Sequence, residues 1–214
     1  ATYALVGAAA LEGPRGPEGR RLAARMGDAG RAALDRWTAA WEPQSTGYYC
    51  APASALAALR FLELAGAWTQ RRIHEEVLVP RGLFTSGVSL EHGAAMVRAL
   101  GDGKVAVEER CSRDAEALAH ALRRDLACAF EDGDEICLLV NYLRPGGGGH
   151  WSPLGGYAED RVLILDTNSQ RHPPHWVPCA ALVDAMCCNN PRTGRPRGYL
   201  ALQREEARRP GEGC

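Results

Sequence analysis

The chain is predicted to be an α+β protein, helical in its first half and built of short antiparallel strands in its second. Three observations predict this. As far as Leu126, apolar residues recur at helical spacing in several segments. From Ile136 onward, residues 136–142, 150–157, 161–166 and 197–203 are each short, apolar and bounded by Gly, Pro or Asp, which is the pattern of strands. The residues of chemical interest divide the same way: Cys50 opens a helix in the first half, whereas His150 and Asp166 fall on strand segments of the second. Helices first and strands later is the α+β order.

Taken in order, residues 12–19 are a Gly/Pro/Glu loop, and 20–41 read as a helix interrupted near Gly27 to Gly30. A polar loop, QSTGYYC at 44–50, then runs into an Ala/Leu-rich helix. Pro52 suits its first turn, where the missing N–H is not needed. Ala55, Leu56, Leu59 and Leu62 form one apolar stripe, and Gly66 is the expected stop. Residues 67–89 carry breakers at Pro80, Gly82 and Gly87, which predicts loop with short helical pieces. Ser89 caps a helix through Leu100, and 104–109 alternate like a strand. Residues 112–126 form an amphipathic helix with Ala115, Leu118, Leu122 and Leu126 on one side. In the second half a helix over 180–186 interrupts the strands. The whole, 1–214, is read as one domain with a frayed, charged tail at 205–214.

Composition narrows the function classes. A net charge of −1 gives no general attraction to nucleic acid or anionic lipid. No stretch approaches the roughly 20 apolar residues of a membrane span. Residues 1–11 are mildly apolar without a basic leader, so no signal peptide is expected in the chain as given. The eight cysteines are too sparse for a small disulfide scaffold in a chain of 214 residues. Lys104 stands alone against two dozen arginines, a compositional bias without chemical meaning.

Cys50 is where chemistry is expected. A helix N-terminus carries partial positive charge from unpaired N–H groups, so a thiol placed there ionises more easily and becomes a nucleophile. Such a thiol needs a base, and the base needs a group to hold its ring; His150 and Asp166 are of the right types. The turn near 158–160 pairs their segments and is expected to set His150 roughly opposite Asp166, on one face. The glycine run 146–149 leaves room for substrate beside the backbone. It is not a phosphate loop, because no Lys-Ser/Thr follows it. Adjacent Cys187 and Cys188 with Cys179 suggest no metal site, since neighbours on a helix point about 100° apart. His172 and His175, flanking Pro173 and Pro174, read as structural.

These motifs resemble the phytochelatin synthases, papain-like cysteine transferases of thiol peptides. The resemblance rests on QSTGYYC at 44–50, GHWSPLGGY at 149–157, LILD at 163–166 and PPHWV at 173–177. VNYLR at 140–144 is similar to the bacterial, single-domain branch, and weaker likeness runs from Gly16 to about Leu202. The resemblance implies a papain-like fold with Cys50 as nucleophile, His150 as base, Asp166 as its orienting partner and Gln44 as oxyanion-hole donor. An amide six residues before the thiol can fold back to face it, which agrees. It also implies that Arg197 grips a donor carboxylate, that Asn141 and Gly149 line the donor pocket, and that Tyr49 belongs to the same substrate-binding set. Two positions depart from the family: Asn190 replaces an aspartate associated with the donor's α-ammonium, and Ser169 replaces an arginine. Asp184 is the candidate acid to stand in for the missing aspartate.

The implied reaction is attack of Cys50 on glutathione, release of glycine, and transfer or hydrolysis of the γ-Glu-Cys acyl group. A second reading keeps the chemistry and changes the donor: an amide-forming acyltransferase or peptidase on another carboxylate-bearing compound. A third, of a different class, is a non-catalytic thiol protein that binds metal through its cysteines. The expected partners are a small thiol peptide or related donor and an amine or water acceptor, with no nucleic acid and no membrane. Homodimerisation is left open. No cofactor or metal is expected, and a catalytic thiol suits the reducing cytoplasm.

Overall fold

Two helices and the loop behind them set the stage for Cys50. The computed structural model describes residues 13–82, 87–144, 146 and 148–205. Residues 1–11 and the tail beyond Glu205 lie outside the described residues. Helices α1 (Pro17–Arg25) and α2 (Asp28–Ala40) are separate, because Met26 and Gly27 are both extended. Behind α2, the Trp41 indole N–H donates to the Leu165 carbonyl at 3.0 Å, and the Gln44 N–H donates to the Thr167 carbonyl at 2.7 Å. The buried Gln70 amide fastens the same loop, donating to Glu42 and to the Pro43 carbonyl and accepting from the Ser45 N–H. The approach to Cys50 is thereby tied to the chain around Asp166.

Helix α3 (Cys50–Phe61) lies in the middle of the molecule. Ten of its twelve residues are buried, Ala51 through Leu59 among them. The expected single apolar stripe is thus too narrow a description, for the helix is enclosed on all sides, and its alanines are what let neighbours approach it all round. The helix also stops earlier than expected. Glu63 takes a left-handed conformation (φ 58°), and Gly66 only completes the following turn. Residues 70–81 are continuously helical where loop with short pieces was expected: α4 (Gln70–Arg72) is followed by a wide π turn and a tight 3₁₀ turn that ends at Gly82. Ile73, Val77 and Leu78 are buried, so tertiary packing holds a helix through weak local signals.

Helix α5 (Leu90–Gly101) is capped by the Ser89 hydroxyl, and α6 (Ala115–Ala127), which starts later than the expected residue 112, by Asp114. The strands are β1 (Val105–Arg110), β2 (Cys137–Leu143), β3 (Gly149–Ala158), β4 (Arg161–Ile164), β5 (His175–Pro178) and β6 (Gly198–Arg204). All neighbours are antiparallel, in the order β1-β6-β2-β3-β4-β5. Strand β5 is not among the strands expected from the sequence; His175 is a buried strand residue whose Nδ1 lies 2.8 Å from the Pro173 carbonyl. Helix α7 (Cys179–Cys187) follows β5, and the buried apolar residues of helices and sheet form one cluster. No helix among the described residues is long and apolar enough to cross a membrane.

Candidate active site

Cys50 is the first residue of α3, and no side chain caps that terminus. The unpaired N–H groups there are free to face negative charge. The His150 ring and the backbone N–H groups of Trp151 and Ala51 lie beside the thiol and favour its ionised form. Burial alone would raise its pKa, but these contacts outweigh burial and hold it below the ordinary thiol value. For His150, burial would lower the pKa, and its bonds to Asp166 and Cys50 raise it instead. The two shifts have opposite directions, and together they favour a thiolate facing an imidazolium. In contrast, burial pushes up the thiols of Cys111, Cys137, Cys187 and Cys188, and carries Cys179 to about 12.

The imidazole is held from the β2/β3 ladder. His150 pairs with Tyr142, and side chains of paired residues share a face, so Tyr142, Arg144 and His150 project together. The Tyr142 and His150 rings meet edge to face at 5.8 Å. Asp166 is fully buried just beyond β4, with Oδ1 3.1 Å from His150 Nε2. Its Oδ1 also accepts from the Arg144 guanidinium and from the Asn168 N–H at 2.8 Å, and its Oδ2 accepts from the Tyr142 hydroxyl at 3.0 Å. Burial opposes ionisation here, yet His150 and Arg144 hold this carboxyl far below the usual range. Nε2 is occupied on this side, with Asp166 Oδ1 at 3.1 Å and Arg144 Nη2 at 2.6 Å, so the other ring nitrogen is the one left to serve the thiol.

His150 and Asp166 meet as expected, but not as partners across a hairpin. Beyond the Glu159–Asp160 turn the ladder pairs Tyr157 with Val162, slips at a bulge to Leu154 with Ile164, and ends. His150 therefore lies several residues past any partner in β4. Asp166 reaches it because the chain leaves the strand after Ile164 and folds under β3, where the Leu165 N–H donates to the Pro153 carbonyl.

The other face of the ladder builds a groove. Cys50, Val88, Asn141, Leu143, Gly149 and Trp151 line it together with residues 189–192 and Arg197, around a volume of about 550 Å³. Arg197 is buried, donates to Asn141 Oδ1 at 3.2 Å, and has a buried Nε without a hydrogen-bond partner among the described residues. Desolvation lowers its pKa, the mark of a cation lacking full compensation. A Cβ at Gly149 would stand 2.3 Å from Arg197 Nη1, so the guanidinium occupies space that only glycine leaves.

Of the residues expected at the site, Cys50, His150 and Asp166 come together in that order, and Asn141, Gly149, Asn190 and Arg197 share the groove with Cys50. Gln44 joins through Thr167, whose hydroxyl lies 3.1 Å from Gln44 Oε1 and 3.3 Å from His150 Nε2. One amide N–H of Gln44 goes to the Thr46 carbonyl. Tyr49 turns to the His74 ring at 4.8 Å, and neither it nor Ser169, in the turn after Asp166, is among the described residues lining the groove. Sequence reasoning gave no role to Tyr142, Arg144 or Thr167. The alternation of β2 carried a signal, since residues two apart from Tyr142 share its face. Among the described residues no group of three or more His, Cys, Asp or Glu is placed to hold a metal ion.

A family model described as phytochelatin synthase matches residues 17–199. The chain belongs to the phytochelatin synthase family. Curated relatives named glutathione gamma-glutamylcysteinyltransferase include one from Lotus japonicus, 39% identical over 116 residues, or 48% of this chain and 24% of that one. One from Arabidopsis thaliana is 46% identical over 71 residues, 32% and 16% of the two chains. One from Schizosaccharomyces pombe is 37% identical over 70 residues, 32% and 17%. The matched stretch thus spans a quarter or less of these phytochelatin synthase relatives. Among solved structures, the Pseudomonas avirulence protein AvrPphB aligns over 82% of this chain and 89% of its own at 11% identity and a TM-score of 0.31, too distant to carry an argument.

Proposed function

We propose that the protein is a cysteine acyltransferase with hydrolase capacity, acting on a thiol peptide or a related carboxylate-bearing donor. The observation that carries this reading is Cys50, a thiol lowered in pKa at a helix start, against a His150 held by Asp166, in a groove that also holds an incompletely compensated arginine. The names of the relatives support glutathione as the first donor to try.

In the proposed cycle the Cys50 thiolate attacks the amide carbonyl between the cysteinyl and glycyl residues. The resulting oxyanion is stabilised by N–H donors at the start of α3, with Gln44 as the expected side-chain donor. His150 gives its Nδ1 proton to the departing amine, the C–N bond breaks, glycine leaves, and the acyl group stays on sulfur as a thioester. Neutral His150 then takes a proton from water or an incoming amine, which attacks the carbonyl and expels the thiolate. Arg197 holds the donor carboxylate, and Asn141 holds Arg197. Because the chemistry requires a reduced thiol, we place the enzyme in the cytoplasm; a homodimer is compatible with the proposal.

Intact-mass analysis after incubation with glutathione tests this. A γ-Glu-Cys adduct on the wild type and its loss in Cys50→Ala are expected. Absence of any adduct, with a Cys50 that alkylates only near the free-thiol pKa of about 8.5, refutes the reading and favours a non-catalytic thiol protein. A second enzyme reading, transfer from a donor other than glutathione, is favoured by one observation: no Asp or Glu is among the described residues lining the groove.

A further inference from the structure

The groove that holds Cys50 has an uneven charge inventory. Arg192 and Arg197 both line it, and neither makes an ion pair among the described residues. No Asp or Glu is among the described residues lining the groove, and the carboxylates around it are engaged or turned away. Glu91 is paired with Arg195 and Glu109 with Arg98, both beyond the wall formed by Asn141 and Asn190. Asp166 faces the other side of the ladder, where Arg144, Tyr142, His150 and Asn168 occupy its oxygens. Asp184, the acid expected to stand in for a missing aspartate, is exposed on α7 and is not among the described groove residues.

The neutral side-chain acceptors already take one hydrogen bond each, and neither carries a countercharge. Asn141 Oδ1 receives the Arg197 guanidinium, and Asn190 Oδ1 receives the Arg192 backbone N–H at 3.1 Å. Asn190 is 9% exposed and fixed in its turn, with its own N–H donating to the Arg195 carbonyl at 2.8 Å. An ammonium entering beside Arg197 would lose water, meet two guanidinium groups and find no counterion. A carboxylate entering there gains a buried cation with a free Nε–H.

From this juxtaposition we infer that the preferred acyl donor carries a carboxylate but no charged α-amine, a glutaryl-type or N-acylated γ-glutamyl compound rather than the zwitterionic γ-glutamyl head of glutathione. The inference rests on the acyltransferase reading and specifies its donor. Acylation itself is unchanged: sulfur bonds to the carbonyl carbon, the C–N bond breaks, and His150 protonates the amine that leaves.

The test compares acylation of Cys50 by glutathione and by its des-amino analogue, glutaryl-cysteinyl-glycine, following glycine release and intact mass on the full chain. The wild type is expected to favour the des-amino donor by about fivefold or more in kcat/KM, and Asn190→Asp to raise kcat/KM for glutathione by about 10- to 150-fold, the range of one charged hydrogen bond. The wild-type comparison needs no variant, so misfolding of Asn190→Asp cannot hide the result. Equal or faster acylation by glutathione overturns the inference and leaves the acyltransferase reading intact. If neither donor acylates a Cys50 that iodoacetamide still alkylates well below the free-thiol pKa, the acyltransferase reading falls and the inference with it.

Discussion

Gly149→Ala separates the position of Arg197 from the stability of the fold. The new Cβ would stand 2.3 Å from Arg197 Nη1 and 2.8 Å from both Cζ and Nη2, whereas real Cβ contacts essentially never fall under 3.0 Å. Gly149 lies at the start of β3, paired with Leu143, and its backbone is fixed by the ladder. The guanidinium must therefore move. It is the far end of a flexible side chain with the groove open on one side, so folding is little affected. Its position is not equally free, because one 3.2 Å bond to Asn141 holds it. Losing one charge-assisted hydrogen bond to the donor is worth about 1.5–3 kcal/mol, which is roughly 10- to 150-fold in kcat/KM. The assay is glycine release from a carboxylate-bearing donor, with thermal unfolding measured in parallel, on Gly149→Ala, Arg197→Gln and the double variant. Once Arg197 is gone the alanine meets nothing charged, so it should cost almost nothing in that background. A single Gly149→Ala variant within twofold of wild type, or one equally damaging with and without Arg197, refutes the account.

Three further outcomes follow from the site. Cys50→Ala and His150→Ala should each lower acylation by about 10³-fold or more, and Asp166→Asn by less, because orienting the ring is secondary to supplying the base; glycine release by Cys50→Ala at the wild-type rate contradicts the assignment. Alkylation of Cys50 by iodoacetamide should show one acid limb below the ordinary thiol pKa of about 8.5, and acylation by an amide donor should add an alkaline limb above about 6.5, where the raised His150 loses the proton its leaving group needs. Coincidence of the alkylation limb with that of a free thiol excludes the ion pair. Since thiolate and imidazole supply nucleophile and base, chelator should leave the rate unchanged, and stoichiometric zinc whose removal abolishes activity would contradict this.

Much of the site could be read from local chemistry, and the rest depended on elements that meet only in the folded chain. Cys50 at a helix start, with His150 and Asp166 ahead in order, is a statement about residue types and one capping geometry. The hairpin argument failed because a bulge at Leu154/Gly156 and an early end to β4 cannot be seen in alternation alone. Arg144 and Tyr142 escaped notice because their target, Asp166, lies 22 and 24 residues away, beyond β3. The helix over 70–81 was missed for a related reason: Ile73, Val77 and Leu78 gain from burial what Pro80 and the glycines deny locally. Arg197 could be placed from a motif, but its missing counterion became visible only when the groove wall was assembled.

On the proposed reading, the enclosure of α3 bears on how the protein can diversify. Its nucleophile is rooted in the most densely surrounded helix, where enlarging Ala53, Ala55 or Ala57 would displace packed neighbours and shift the sulfur with them. Descendants of this chain are therefore held to one reaction geometry. Asn189, Pro191 and Arg192 are under no such restraint: they are solvent-facing, and the turn about the buried Asn190 is closed by its own hydrogen bonds, Gly194 to Asn190 and Arg192 to Asn190. Substitutions there can change which donor is accepted without disturbing the thiol, so new substrates are open to this lineage through a four-residue turn while its chemistry stays where the core has fixed it.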